Sequence, residues 1–355
     1  MNDTDGLLER SKQEFERALQ RNIKGLEYFV SPAPVMGASA KDVLIDQGTL
    51  RLYHYRPLTD EIYRVPVLLV MATTNRGYIF DLTPGQSLVE FLLKRGFDVF
   101  MIDWEAPRTD EKTLDLASYV LDFIPRCVAK VAQATGETDV SIVGYCFGGV
   151  LALLWAALHP DSGLKNLVTF TTPIDFTKMP SFAAWSDRRY FDVDRLVDTL
   201  GNCPAEMLYT AFDSLRPAGR VAGNLRLLDR MWDGEFVKAH RMIDRWSADV
   251  LPLAGAYFRD TTKKLMWDNA LFNQTMDVSG RPVDLGAITV PFLHIAAEHD
   301  HIVPTASSAP LIEMIGSADK EEVILKGGHV SLVGGPNAVR RMWPKLDSWL
   351  AEKSL

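Results

Sequence analysis

Gly144-Tyr145-Cys146-Phe147-Gly148-Gly149 is the stretch on which the reading of this chain turns. Before it, Val140 to Val143 reads as a buried strand; after it, Val150 to Leu158 reads as an apolar helix. A strand that runs into a helix through G-x-C-x-G has the form of the nucleophile elbow, with cysteine where serine is usual. The turn is sharp, so flanking glycines let strand and helix approach. The side chain of Cys146 then projects above the sheet, and the first helical N–H groups face any oxyanion formed beside it. A thiol attacks well only as thiolate, so a base has to stand close. Passing an acyl group between thiols is nearly thermoneutral, so sulfur here suits a thioester substrate.

Working outward, short apolar runs at 67–71, 99–102, 140–143 and 167–170 alternate with helical stretches at 86–95 and 116–134. An alternating strand, 50–55, precedes them. Nearly continuous apolar strands separated by helices predict an α/β fold with a mostly parallel sheet covered on both faces. From about Asp175 to Gly286 the strand series stops, while Met, Trp and Phe remain frequent. More than a hundred residues cannot be a plain loop in a compact domain. A mainly helical cap over the sheet is predicted there. The sheet resumes at 291–295 and 323–325, and a helix at about 337–353 closes the chain. The expected organisation is a helical N-terminal segment, 1–45; a core, 46–174 with 287–355; and a cap, 175–286. Within the first segment, Leu8, Phe15, Leu19, Leu26 and Phe29 recur at helical spacing over about Asp5 to Phe29. That amphipathic helix either packs on its own domain or docks on a partner subunit or a hydrophobic particle.

In the α/β-hydrolase arrangement, nucleophile, acid and histidine follow in chain order, the last two in loops after late strands. Glu298-His299-Asp300-His301-Ile302-Val303-Pro304 and Gly327-Gly328-His329-Val330 occupy those places. Cys146, Asp300 and His329 therefore form a candidate triad. A lone G-x-C-x-G, one histidine of seven or one turn aspartate would each mean little; their conjunction at strand ends carries the reading. The oxyanion donors expected are the backbone N–H of Phe147 and one from the loop 72–76, taken as Thr74. Cys127 falls on an apolar helical face and Cys203 in a turn, so both read as structural.

Composition narrows the remaining choices. With 355 residues, 47% of them apolar, the chain can bury a large core. A formal charge of −8 provides no electrostatic reason to expect nucleic acid or an acidic membrane as partner. Three cysteines fit a reducing compartment without a disulfide framework. With no apolar run of about 18 residues and no signal-like start, a soluble cytoplasmic protein is expected. The sequence has no CxxC, HExxH or G-x-G-x-x-G, so neither metal nor dinucleotide cofactor is expected.

Several of these stretches together resemble the polyhydroxyalkanoate synthases. The elbow resembles their lipase-like box, G-x-C-x-G-G. Similar segments are Thr74-Asn75-Arg76-Gly77-Tyr78-Ile79-Phe80-Asp81-Leu82, Gly96 to Trp104, Asn166 to Phe176, Asp300 to Pro304 and Gly327-Gly328-His329. The resemblance covers residue 40 to the C-terminus, and the length is similar to the short class III and IV enzymes. It implies polymerisation of (R)-3-hydroxyacyl-CoA, of short acyl length, into polyester with release of coenzyme A from a cysteine acyl-enzyme. It also implies Asn75, Tyr78 and His301 as substrate contacts, a homodimer, a second subunit of the PhaE or PhaR type, and a place at the polyester granule surface. Two segments depart from the family pattern. Glu105 stands after Asp103-Trp104 where glycine is usual, and 264–269 lacks the usual tyrosine. They bear on chain-length preference and the cap. A cysteine thioesterase or dienelactone-type hydrolase with the same triad, and a non-catalytic granule scaffold, are the alternatives.

Overall fold

A computed structural model describes residues 3–30, 35–215 and 219–354. One eight-stranded sheet organises them: β1 (Lys41–Gln47), β2 (Leu50–Tyr55), β3 (Val67–Val70), β4 (Val99–Trp104), β5 (Val140–Tyr145), β6 (Leu164–Phe170), β7 (Phe292–Ala297) and β8 (Lys320–Leu325). The order across the sheet is β1-β2-β4-β3-β5-β6-β7-β8. β1 and β2 run antiparallel, as do β2 and β4; every other pair is parallel. Every residue of β3, β4, β5 and β7 is buried, which is why their sequences are apolar runs broken only by Asp103, Ser141 and His294. β1 escapes the sequence reading because it is an edge strand. Its side chains are exposed or half-exposed, and its apolar run, Val43-Leu44-Ile45, is only three residues long between charged and polar neighbours.

Helices cover both faces. α2 (Leu88–Lys94) starts where Ser87 Oγ accepts the N–H of Glu90. α3 (Ile124–Thr135) stops at Gly136, whose φ of 78° is the left-handed cap conformation. α4 (Phe147–Leu158) is buried on nearly every side after Phe147, so its sequence is apolar all round rather than amphipathic. The chain closes with Trp343–Lys353.

Between β6 and β7 the chain forms the helices α5 (Pro180–Trp185), α6 (Val193–Leu200), α7 (Ala205–Ser214), α8 (Gly219–Asp229), α9 (Gly234–Ala248) and α10 (Gly255–Asp260). A helical turn, Thr261–Trp267, and a two-residue ribbon, Asp277–Val278 against Arg281–Pro282, complete it. This segment is tied to the loop after β3. Leu251 N–H donates to Thr74 O at 2.8 Å, and Trp246 Nε1 to Arg76 O at 2.7 Å. Tyr78 hydroxyl donates to Asp249 Oδ2 at 2.9 Å.

The N-terminal helix, Asp3–Val30, presents Phe15, Leu19 and Ile23 at 70%, 49% and 43% exposure. Arg17 lies over the Trp232 ring at 5.2 Å. The surroundings of Leu8, Leu26 and Phe29 lie outside the described residues.

Candidate active site

The parallel strands bring the ends of β3, β5, β7 and β8 to one edge of the sheet, where ligands bind in open α/β folds. At the end of β5, Cys146 has φ 54° and ψ −121°, a backbone conformation L-residues other than glycine seldom adopt. It is held there by its own N–H, which donates to Phe170 O at 2.9 Å, and by its carbonyl, which accepts Gly149 N–H at 3.0 Å. The motif's glycines make the turn sterically possible. A Cβ at Gly144 would lie 2.5 Å from Gly149 Cα, and one at Gly148 would lie 2.2 Å from Val70 O. One at Gly149 would meet Thr172 Oγ1 at 2.0 Å.

The acid and histidine loops are laced together where β7 and β8 end. Glu298 N–H donates to Leu325 O at 2.9 Å, and His299 N–H to Gly327 O at 2.8 Å. Asp300 is buried; its Oδ1 accepts the N–H groups of Ile302 and Val303, both at 2.8 Å. Its Oδ2 stands 2.7 Å from Nδ1 of the buried His329. Gly327, at φ 150°, packs against Asn337 and Ser331 so closely that a Cβ there would lie 2.5 Å from Asn337 Nδ2. The Tyr145 ring lies against the imidazole with centroids 5.2 Å apart.

Burial by itself would push the His329 pKa down. The charge of Asp300, the Cys146 thiol and hydrogen bonds to both outweigh burial and raise it to about 10. With Nδ1 committed to Asp300, Nε2 is the nitrogen left for the sulfur. Cys127 and Cys203 have no such neighbour, and burial pushes each thiol up to about 12. Of the three cysteines, Cys146 alone combines a partly exposed sulfur with an imidazole.

Cys146 sits between two cavities. One, of about 190 Å³, is lined by Thr74, Asn75, His329 and, from the inserted segment, Asp213, Trp246 and Ser247. The other, of about 60 Å³, is walled by Thr73, Phe147, Met179, Tyr257 and Met266. Thr74 lines both, and Phe147 opens α4 directly after the cysteine. Asn75 lines the larger cavity, with its Nδ2 3.4 Å from Trp246 O. Tyr78 and His301 line neither; Tyr78 is engaged with Asp249, and His301 is exposed, with Ile302 beside it facing both cavities.

Two residues of the site were not singled out as site residues in the sequence, although Asp103 lies in a family-like segment. Tyr257 is buried among apolar neighbours, and its phenol oxygen accepts from the Thr73 hydroxyl at 3.1 Å. Asp103 accepts Gly77 N–H at 2.7 Å and Trp104 N–H at 2.9 Å, fixing the far end of the β3 loop; burial raises its pKa to about 6. Among the described residues no three His, Cys, Asp or Glu side chains converge as metal ligands would, and no helix is long and apolar enough to cross a membrane.

A family model for the alpha/beta hydrolase fold matches residues 66–336, and one for the N-terminus of poly-beta-hydroxybutyrate polymerase (PhaC) matches residues 33–92. The poly(3-hydroxyalkanoate) polymerase subunit PhaC of Allochromatium vinosum is 35% identical over 336 residues, covering 93% of this chain and 94% of that one. Its namesake from Haloferax mediterranei is 32% identical over 90% of this chain, which spans 65% of that longer relative. Among solved structures, a soluble variant of monoglyceride lipase from Saccharomyces cerevisiae superposes with a TM-score of 0.54 at 14% identity, over 92% of this chain and all of that one. A Paleococcus ferrophilus monoacylglycerol lipase gives 0.51 at 18%, over 85% of this chain and 99% of the lipase. These two likenesses establish the α/β-hydrolase fold and nothing finer.

Proposed function

Since this chain belongs to the family of poly(3-hydroxyalkanoate) polymerase subunits PhaC, we propose that it polymerises (R)-3-hydroxyacyl-CoA into polyhydroxyalkanoate through a Cys146 acyl-enzyme. It is an acyltransferase. The observation that carries the assignment of residues is the 2.7 Å contact between Asp300 and His329, whose imidazole shares a cavity wall with Cys146 at its strained elbow.

His329 takes the thiol proton, and the thiolate attacks the thioester carbonyl. The oxyanion is held by the N–H groups of Phe147 and Thr74, each such donor contributing about 3 kcal/mol in comparable sites. Coenzyme A leaves as the thiol, carrying the proton from His329. The 3-hydroxyl of the next monomer, or of the chain end, then attacks the Cys146 thioester while His329 or Asp300 accepts its proton; the new oxygen ester forms as the C–S bond breaks, and Cys146 is released as thiolate. Residues 175–286 act as the cap. Its apolar walls keep water from the acyl-enzyme, which favours alcoholysis over hydrolysis. The substrate is of short acyl length, 3-hydroxybutyryl-CoA foremost, and the reaction calls for no cofactor. Asn75 contacts substrate within the larger cavity.

The protein works as a homodimer with a second subunit of the PhaE or PhaR type, at the granule surface in the cytoplasm. The exposed stripe of Phe15, Leu19 and Ile23 supports a docking role for the N-terminal helix. The deciding experiment supplies purified protein with (R)-3-hydroxybutyryl-CoA, alone and with a second subunit. Coenzyme A release with insoluble polyester is expected, and Cys146→Ala should abolish it. Release with soluble acid would indicate a hydrolase, and no release would indicate a scaffold. Full polymerisation by Cys146→Ala would overturn the nucleophile.

A further inference from the structure

We propose that a partition of five side chains, Phe182, Leu208, Phe212, Phe258 and Met266, sets the longest acyl side chain this protein accepts. The inference rests on Cys146 carrying the acyl group. The two cavities beside Cys146 differ in chemistry. The one shared with His329 has Asn75, Asp213 and Ser247 in its wall and suits coenzyme A and the incoming hydroxyl. The one on the Phe147 side is almost wholly apolar and is the place for hydrocarbon. Its volume of about 60 Å³ is small. At roughly 30 Å³ for a water-sized group, it takes about two carbon atoms and no more.

Beyond it lies a third cavity of about 600 Å³, lined by Trp185, Phe191 and Met207 among others. The five partition residues line both the small cavity and this large one, so they are what separates them. They come from α5, α7, α10 and the helical turn 261–267. Leu208 and Phe212 stand four residues apart on one face of α7. Phe182 meets Phe212 edge-on at 6.1 Å, which closes the partition between α5 and α7. Phe212 also lines the His329-side cavity, so its ring borders all three spaces. The space for a long acyl side chain thus exists in the fold, and the five shared residues stand between it and Cys146.

The test compares coenzyme A release and polymer composition for (R)-3-hydroxybutyryl-, hexanoyl- and octanoyl-CoA in wild type, Phe212→Ala, Met266→Ala and Met207→Ala. One methylene in an apolar pocket discriminates by roughly 10- to 200-fold. Opening the partition should therefore raise the hexanoyl-to-butyryl ratio of kcat/KM at least about tenfold in Phe212→Ala and Met266→Ala. Met207→Ala, which enlarges only the outer cavity, should leave the ratio where it is. If Phe212→Ala melts early, Phe212→Leu serves with Met266→Ala. Wild type and both partition variants turning over the butyryl substrate with one unchanged ratio would overturn the partition while leaving the acyl-enzyme intact. So would an equal shift in Met207→Ala, or loss of butyryl turnover in well-folded partition variants. A wild type that releases no coenzyme A from any substrate would instead overturn the acyl-enzyme reading itself.

Discussion

Asp300→Asn separates the chemistry of the site from its architecture. Asp300 has two tasks on its two oxygens. Oδ1 accepts the N–H groups of Ile302 and Val303, which shapes the loop, and Oδ2 accepts from His329 Nδ1 at 2.7 Å. Asparagine keeps a carbonyl oxygen for the loop and turns an NH₂ group toward the imidazole. His329 must then accept at Nδ1 and carry its proton on Nε2, so it cannot take the thiol proton. The equivalent substitution in hydrolytic triads lowers kcat by about 10⁴, close to 5.5 kcal/mol of transition-state stabilisation. A loss of that order is expected in coenzyme A release from (R)-3-hydroxybutyryl-CoA, with little change in the fold. Asp300→Ala, by contrast, strands both loop N–H groups and adds a stability loss of about 1–3 kcal/mol for each.

The same pair predicts a pH dependence whose sign is fixed. In the native protein the His329 pKa is raised from near 6.5 to about 10. The stabilisation from holding the imidazolium is complete below about 6.5 and is lost as pH rises through about 10. In Asp300→Asn burial dominates and the imidazole is no longer held charged. The melting advantage of wild type over the variant should therefore be present near pH 6.5 and shrink toward pH 10. Retention of more than a tenth of wild-type turnover by Asp300→Asn would refute the role of the carboxylate. A stability difference that grew with pH would refute the electrostatic account.

Three further perturbations probe the elbow and the N-terminal helix. Gly148→Ala drives a methyl to 2.2 Å from the Val70 carbonyl, which is backbone and cannot turn aside, so a loss of at least about 3 kcal/mol in chemical denaturation is expected. Gly149→Ala meets the Thr172 side chain instead, so Thr172→Ala should recover part of its loss, a coupling that a double-mutant cycle measures directly. Phe15→Glu with Leu19→Glu places charge on side chains already 70% and 49% exposed. Melting should stay within a few tenths of a kcal/mol of wild type. Pull-down of the second subunit should weaken at least tenfold; unchanged capture would remove the docking role.

How far the sequence could be read follows from what each element has to satisfy. β3, β4 and β5 are buried on both faces, so their apolar runs are obligatory and legible. The elbow is legible because each glycine answers a contact that a Cβ would violate. Asp300 and His329 are legible because the fold puts acid and base at fixed strand ends. β1 is not, since an exposed edge strand leaves no periodic mark. In the clamp of 246–251 on the β3 loop, Thr74, Arg76 and Trp246 all accept through main-chain carbonyls, which any sequence supplies, so nothing in the sequence marks which distant donor each one meets. Glu105 stands out in sequence only as a departure from the family pattern. In the structure its Oε2 meets Arg76 Nη1 at 2.5 Å, and its backbone carbonyl accepts from Thr49 Oγ1. Glycine could not have tied Arg76 down, so the departure has a local use beside the oxyanion loop.

The fold alone does not separate a polymerase from a lipase, since both stand on the same elbow and the same sheet edge. What differs is what surrounds the sulfur. Cys146 faces a mixed chamber on the His329 side, with Asn75, Asp213 and Ser247 among apolar neighbours, and an almost wholly apolar one on the Phe147 side, and both are completed by residues inserted between β6 and β7. The same insertion clamps the β3 loop through Trp246 and Leu251. If it acts as the proposed cap, a displacement that let water in would also pull on Thr74, the proposed oxyanion donor, and disturb the donor that hydrolysis would need. A hydrolase gains nothing from that coupling. An enzyme that must keep an acyl-cysteine alive until the next hydroxyl arrives does.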